Sequence, residues 1–284
     1  MTSLKKHEFG FLQVNPLPTL DSLKNFYAEK YYQNSVSSTY SKEYSAEEKD
    51  FFNNKAIIAS YILDKPTGSL FDVGCGEGFF PAFFHEHGWT IYGCDFSSFG
   101  IEKFNPQLLP FFKQGDIYDV LDSTIKSGQK FDLVNLSNVL EHVIDPIGML
   151  SSLKSLLNPG GLLRICVPND YSKFQTILVE NKCTSDTWYI PPEHLNYFNS
   201  DSLRNTLEKS GFDIKKVLCG FPIEMFLLNE HSNYWADRTK GKAAHKTRVI
   251  VENHLISQNL NAYIDYCEAA GRLGFGRELT AFVS

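Results

Sequence analysis

No stretch of 18 consecutive apolar residues occurs in the chain, so the sequence predicts no membrane-spanning helix and no membrane partner. The opening residues, Met1 to Glu8, carry two lysines and lack the apolar segment of a signal peptide. Cysteines are scattered: Cys75, Cys94, Cys166, Cys183, Cys219 and Cys267 show no Cys-x-x-Cys spacing. That pattern argues against a zinc site or a disulfide framework and for a reducing, cytoplasmic setting, with no metal expected. Positive charge is also short. Lysine and arginine number 27 against 33 aspartates and glutamates, for a formal net charge of −6. The basic residues are spread rather than clustered, so the electrostatic footprint of a nucleic-acid binder is missing.

What is present is an ordinary globular composition, 43% hydrophobic and 21% charged over 284 residues, enough for one α/β domain with decorations. The most informative stretch is Leu70-Phe71-Asp72-Val73-Gly74-Cys75-Gly76-Glu77-Gly78. An apolar run reaches an acid, breaks into glycines at alternate positions, and resumes as an apolar helical pattern at Phe79 and Phe80. Glycine permits positive φ and lets a ligand touch backbone, and a strand turning into a helix aims free N–H groups at that ligand. A dinucleotide fingerprint requires Gly-x-Gly-x-x-Gly, but Phe79 stands at its last position, which disfavours a nicotinamide-dependent dehydrogenase. The alternative for the glycines alone is a tight strand–helix turn without a ligand.

Three further segments follow in order. Thr90-Ile91-Tyr92-Gly93-Cys94-Asp95 reads as a second buried strand ending in a carboxylate, 21 residues after Gly74, the spacing expected of an acid that grips ribose hydroxyls. Phe111 to Ile117 reads as a third strand leading to Asp116, for which a helix cap is the competing role. Lys130 to Val143 reads as a fourth strand leaving through Ser137 and Asn138. Asp145-Pro146 then opens a helix that stops at Asn158-Pro159-Gly160-Gly161, and a fifth strand runs over 161–169.

Asp-x-Gly-x-Gly-x-Gly, the acid at Asp95, Glu-His-Val-x-Asp-Pro and Asn-Pro-Gly-Gly together resemble the Rossmann-like, class I S-adenosyl-L-methionine (SAM) methyltransferases, in the branch acting on small molecules. The resemblance implies an α/β fold: a doubly wound, seven-stranded, mostly parallel sheet with N-terminal helices and a helical insertion before the last strand. It implies SAM as cofactor and S-adenosyl-L-homocysteine as product. Residues implied to bind the cofactor are Asp72 (on its ammonium group), Gly74, Cys75, Gly76, Gly78, Asp95, Phe96, Asp116 (on the adenine amine), Ile117, Ser137, Asn138 and Tyr40.

The segments expected along the chain are a helical leader or cap (1–66), a SAM-binding core (67–221), a helical insertion (222–272) and a final core strand (273–284). The leader shows no strand alternation. It offers a short helix from Asp21, capped by Thr19 or Asp21, and a second from about Ser45 to Leu63, with Phe51, Phe52, Ala56, Ile57 and Tyr61 able to face the core. Asn15-Pro16-Leu17-Pro18-Thr19 and the aromatic residues after it resemble methyltransferases of bacterial carbohydrate and secondary-metabolite pathways. Some of those carry a cysteine-rich zinc module first, whereas here no cysteine precedes Cys75. Among Tyr27, Tyr31, Tyr32, Tyr40 and Tyr44, Tyr40 is the candidate to close over the cofactor; packing with a wet hydroxyl is the alternative for all five.

Pro191-Pro192-Glu193-His194-Leu195-Asn196-Tyr197-Phe198 precedes a helix capped by Asn199 or Ser200, with Leu203 and Leu207 on its apolar face. His194 and His142 are the candidate bases, since an imidazole with a pKa of ~6.5 suits proton removal near neutrality. Each could instead hold its own loop through a backbone carbonyl. In the insertion, Thr247–Leu260 and Ala262–Arg272 read as helices, the first with Val251, Leu255 and Ile256 on one face, and Lys240-Gly241-Lys242 with Lys246 as a basic turn. Asn229 to Trp235 could stack on a sugar ring or serve as a cap or a homodimer contact. The function expected is methyl transfer to a hydroxyl of a small polar acceptor, a sugar or nucleotide-linked sugar. The alternatives are N-methylation of a small amine and a catalytically silent SAM-binding scaffold.

Overall fold

The computed structural model describes residues 2–23, 25, 26 and 43–284. Tyr40, with Tyr27, Tyr31 and Tyr32, lies outside the described residues. The chain forms two compact units that cut across sequence order: 17–139 and 144–165 with Ser284, and 1–16, 140–143 and 166–283. Contrary to the leader's apparent lack of strands, it begins with an antiparallel hairpin, β1 (Ser3–Lys6) and β2 (Leu12–Asn15), in which Leu4 faces Val14. Each strand is only four residues long, too short for alternation to rise above its polar neighbours. Residues 20–23 are helical, and Thr19 caps them by accepting from the Ser22 amide at 3.2 Å.

In the first unit, α1 (Ala46–Leu63) starts where the sequence signals it. Ser45 accepts from the Glu48 amide, and the Glu48 carboxylate accepts from the Ser45 amide. Phe51, Ala56 and Ala59 are buried, but Tyr61 is exposed, so the buried stripe is narrower than expected. Strand β3 (Ser69–Val73) is buried on both faces, as an inner strand of a parallel sheet must be. It feeds α2 (Phe79–Glu86), β4 (Thr90–Asp95), α3 (Phe99–Phe104), β5 (Phe112–Gln114), α4 (Ile117–Lys126), β6 (Phe131–Ser137), α5 (Pro146–Ser155) and β7 (Leu157–Pro168). Asp145 caps α5 by accepting from the Gly148 amide, with Pro146 in the first turn. This helix stops at Ser155 and β7 begins at Leu157, so Asn158-Pro159-Gly160-Gly161 belongs to the strand rather than to a turn before it. Strands β4 and β6 both pair parallel with β3, and β5 pairs parallel with β4. The chain order therefore reverses beside β3, and ligands of open α/β sheets bind at such a switch point.

The second unit holds the end of β7, α6 (Lys173–Glu180), β8 (Asn196–Tyr197), α7 (Ser200–Lys209), β9 (Ile214–Cys219), α8 (Gly241–Gln258), α9 (Leu260–Leu273) and β10 (Glu278–Val283). Strand β8 pairs with β2, which makes the hairpin a three-stranded sheet. Asn199 caps α7, whose Leu203 and Leu207 are fully buried. The large sheet has the order β5-β4-β3-β6-β7-β10-β9, with β10 antiparallel to β9. Helix α8 starts at Gly241, so Lys242 and Lys246 are helical and not a basic turn. Its buried side chains are Ala244, Val249 and Glu252, whereas Leu255 is exposed, so the predicted apolar face is not the packed one. In the 229–235 stretch Asn233 is buried. It accepts from the Trp235 and Ala236 amides and donates to the carbonyls of Cys183 and Leu227.

Candidate active site

The first unit's candidate site is the loop between β3 and α2. Gly74, Gly76 and Gly78 have φ of 75°, 54° and 78°, which only glycine adopts freely. The amides of Gly74 and Cys75 both donate to the Cys94 carbonyl, at 2.8 and 3.0 Å, tying the loop to the end of β4. Asp95 closes the knot. Its Oδ2 accepts from the Gly76 amide at 2.9 Å and its Oδ1 from the Ser97 amide at 3.1 Å. Burial pushes the Asp95 pKa up, and the amides of Ser97 and Gly76 oppose the shift. A β-carbon at Gly100 would sit 2.7 Å from the Gly76 carbonyl oxygen, so α3 approaches the loop as only glycine allows. Among the described residues, nothing lies within 4 Å of a Cβ added at Gly76. Open space, a left-handed glycine and a carboxylate with accepting capacity on both oxygens fit a ligand carrying ribose hydroxyls and an amino-acid tail. On the loop's far side, the Tyr44 hydroxyl donates to Glu77 Oε1 at 2.9 Å, and Tyr44 packs edge-on against Phe52 and Phe79.

Asp72 sits one residue before the end of β3, with 1% of its surface exposed. The β3–β6 register sets it directly beside Asn135. Asn135 Nδ2 donates to Asp72 Oδ1 at 2.6 Å and Asn135 Oδ1 accepts from Arg164 Nη1 at 2.7 Å, while the Arg164 guanidinium lies 5.1 Å from the centre of the Phe80 ring. Burial pushes the Asp72 pKa up to about 7, opposed by the Asn135 hydrogen bond and the Arg164 charge. Neither Asn135 nor Arg164 was singled out from the sequence; a polar pair inside two apolar strands was the available signal. Asp116 is the N-cap of α4, accepting from the Tyr118 amide at 2.9 Å, and Ile117 is the helix's first residue. Phe96 is exposed, with its carbonyl held by Gln114 at 3.2 Å. Ser137 ends β6, and Asn138, exposed, takes a left-handed φ of 54°. Cys75 is half-buried, and burial pushes its thiol well up, so it is no nucleophile.

The two candidate histidines meet in the second unit. Their rings stand edge-to-face with centroids 4.8 Å apart. His142 Nδ1 lies 2.6 Å from the Glu193 carbonyl oxygen. A carbonyl only accepts, so Nδ1 carries the proton and Nε2 is the basic nitrogen of the neutral ring. That Nε2 faces Glu141 Oε1 at 3.7 Å. Glu141 is buried, and burial pushes its pKa up to about 8, which makes it a neutral acid at pH 7. Its backbone carbonyl accepts from the Leu195 and Asn196 amides, and Asn196 Nδ2 donates to the Leu140 and Val143 carbonyls. Residues 140–143 and 194–196 are thereby stitched together. Glu141, His142 and His194 bring ligand-type atoms within 4.8 Å of one another.

The seven-stranded order with its antiparallel β10, and an acid–glycine loop at the switch point, define a methyltransferase fold. Residues 48–217 match the methyltransferase domain family. The chain belongs to that family, and to its class I, SAM-dependent kind. It is similar to the ubiquinone biosynthesis O-methyltransferase of Haemophilus ducreyi, 30% identical over 130 residues, covering 42% of this chain and 55% of the relative. The protein of that name from Cereibacter sphaeroides is 26% identical over 155 residues, covering 51% and 60%. The matches thus span about half the length of these curated relatives. Among solved structures, a SAM-dependent methyltransferase from Archaeoglobus fulgidus aligns over 81% of this chain and 93% of its own, at 21% identity and a TM-score of 0.49.

Proposed function

We propose that this methyltransferase moves the methyl group of SAM to a hydroxyl of a small polar acceptor. The observation that carries the reading is the His142–His194 pair. Hydroxyl methylation needs a base, and the Glu193 carbonyl fixes the His142 tautomer so that Nε2 is its basic nitrogen. The names of the relatives, O-methyltransferases, agree with an oxygen nucleophile. Bound SAM supplies an electrophilic sulfonium methyl, so neither a metal nor a covalent enzyme intermediate is required. The chain's own part is positioning and proton transfer. Gly74, Cys75, Gly76 and Gly78 present backbone, Asp95 accepts from ribose hydroxyls, and Asp72 balances an ammonium group. Phe96, Asp116, Ile117, Ser137, Asn138 and Tyr40 complete the cofactor site. One imidazole takes the hydroxyl proton as the nucleophile forms.

Sugars and nucleotide-linked sugars are the acceptor class this reading favours, in a cytoplasmic enzyme that binds small molecules and no nucleic acid. The helical insertion is its candidate homodimer contact. The test starts with calorimetric titration of SAM and S-adenosyl-L-homocysteine, with NADH as control. An acceptor screen follows, covering nucleotide sugars, intermediates of ubiquinone biosynthesis and small amines, with the His142→Ala/His194→Ala variant beside the wild type. SAM binding kept and hydroxyl methylation lost in the variant supports the proposal. Turnover unaffected by the double substitution, or transfer to amines alone, refutes it, and binding without turnover on any acceptor leaves the scaffold reading in its place.

A further inference from the structure

Asp170 stands two residues past the end of β7, its side chain wholly buried. Its backbone is held at several points. The Asp170 amide donates to the Phe198 carbonyl at 2.7 Å and the Asn169 amide to the Arg277 carbonyl at 2.9 Å, while Asn169 Nδ2 donates to the Gly276 carbonyl at 2.8 Å. The carboxylate is equally constrained. Arg277 Nη1 donates to Oδ1 at 2.8 Å and lies 3.8 Å from Glu224 Oε1, which accepts from Gln175 Nε2 at 2.9 Å. Asp170 Oδ2, by contrast, is buried and accepts no hydrogen bond among the described residues. An orphaned buried carboxylate oxygen is costly and calls for a reason. It lies 3.9 Å from His194 Nδ1. The His194 end is also fixed, because the Tyr197 hydroxyl donates to the His194 carbonyl at 3.0 Å.

We infer that Asp170 is a positioning residue for His194: anchored by Arg277 through one oxygen, it turns the other to His194 Nδ1 and leaves Nε2 as the basic nitrogen. This rests on the methyl-transfer reading and deepens it, because it selects one histidine of the pair. A separation of 3.9 Å is an ion-pair distance that shortens to a hydrogen bond when the ring becomes cationic, and such contacts are commonly long before substrate binds. Among the described residues, the groups facing His194 include His142, the Tyr197 ring with its centroid 6.2 Å away, Glu141 and Asp170. Of these, Glu141 is neutral at pH 7. Burial pushes the Asp170 carboxyl up as well, and the Arg277 guanidinium bonded to its Oδ1, with Gln175, opposes that shift. His194 therefore has behind its ring a carboxyl oxygen whose partner oxygen is bonded to a guanidinium, whereas the His142 ring meets a backbone carbonyl at Nδ1 and the Glu141 carboxyl at Nε2. An anion at Nδ1 favours the imidazolium and makes Nε2 the stronger base.

The test is a long-range proton–nitrogen NMR titration of the histidines in the full-length, ¹⁵N-labelled protein, with His194 assigned from its Gln variant. SAM binding is measured on the same samples. The expected result is a His194 ring protonated on Nδ1 when neutral, with a midpoint about one unit above the ordinary ~6.5 and above that of His142. Asp170→Asn is expected to lower that midpoint by about one unit. A His194 ring protonated on Nε2, or a wild-type midpoint at or below that of His142, overturns the inference, and so does a midpoint that Asp170→Asn leaves in place. Because the wild-type tautomer decides on its own, the test survives a variant that fails to fold. Absence of SAM binding in the wild type would sink the methyl-transfer reading instead, and the histidine spectra report on Asp170 separately.

Discussion

Cofactor affinity should depend on pH through Asp72, and the size of the effect follows from its surroundings. Burial raises its pKa to about 7, while the 2.6 Å bond from Asn135 and the charge of Arg164 limit the rise. An ammonium ligand needs the carboxylate, so the apparent Kd is the intrinsic Kd multiplied by one plus the ratio of protonated to ionised Asp72. That factor is about 11 at pH 6, about 2 at pH 7 and about 1.1 at pH 8, an improvement of roughly tenfold, or ~1.4 kcal/mol, across two pH units. An α-amino group loses its own proton near pH ~8, so affinity should climb through pH 7 and fall again above about 8. Asn135→Leu removes a bond that favours the carboxylate, and the rising limb should then move up by about one unit. The assay is calorimetric titration of SAM from pH 5.5 to 9 in pairs of buffers with different ionisation enthalpies. About half a proton should be released per SAM bound at pH 7 in the wild type. Affinity flat between pH 5.5 and 7.5, or a limb that Asn135→Leu leaves in place, would refute the assignment of Asp72 to the ammonium group.

Gly100→Ala places a methyl 2.7 Å from the Gly76 carbonyl oxygen, so it should weaken SAM binding at least tenfold by displacing the loop; unchanged calorimetric affinity would show that the loop yields freely. Ser45→Ala removes one half of the capping box and should cost about 1 kcal/mol in urea denaturation, with no change in cofactor affinity. Glu141→Gln tests the buried acid by its stability profile. Because the folded pKa, about 8, lies above the unfolded value near 4.5, the proton-linked stabilisation is complete below pH 4.5 and is lost as pH rises through 8. The variant should therefore gain on the wild type between pH 5 and 8, by on the order of a few kcal/mol, and keep that margin above it; thermal melts with a constant difference across this range would exclude a buried titrating carboxyl.

The sequence by itself determined the glycine-rich loop between β3 and α2, because its physics is local. Glycines that must take positive φ, an acid at or next to the end of each of two strands and a capping residue before several helices are all set by neighbours within a few positions. For this reason the Gly74–Gly78 turn, the Asp95 position, the start of α1 near Ser45, the Asn199 cap and the β3-to-β7 alternation could be read directly, and Asp116 was legible as a cap. The β1–β2 hairpin was not legible, because strands of four residues are too short to show a pattern of their own and the sheet is completed by β8, which pairs with β2 from some 180 residues away. The packed face of α8 was missed for a related reason: Glu252 is buried because the Phe221 amide and the Tyr263 hydroxyl both donate to it, which hydropathy along one helix does not record. Only the tertiary structure decided how the chemistry is supported. Asn135 and Arg164 reach Asp72 across 63 and 92 positions of chain, and Asp170 meets Arg277 across 107. Buried polar groups choose their partners by strand register and loop closure, which are properties of the whole fold and leave no periodic trace in the sequence.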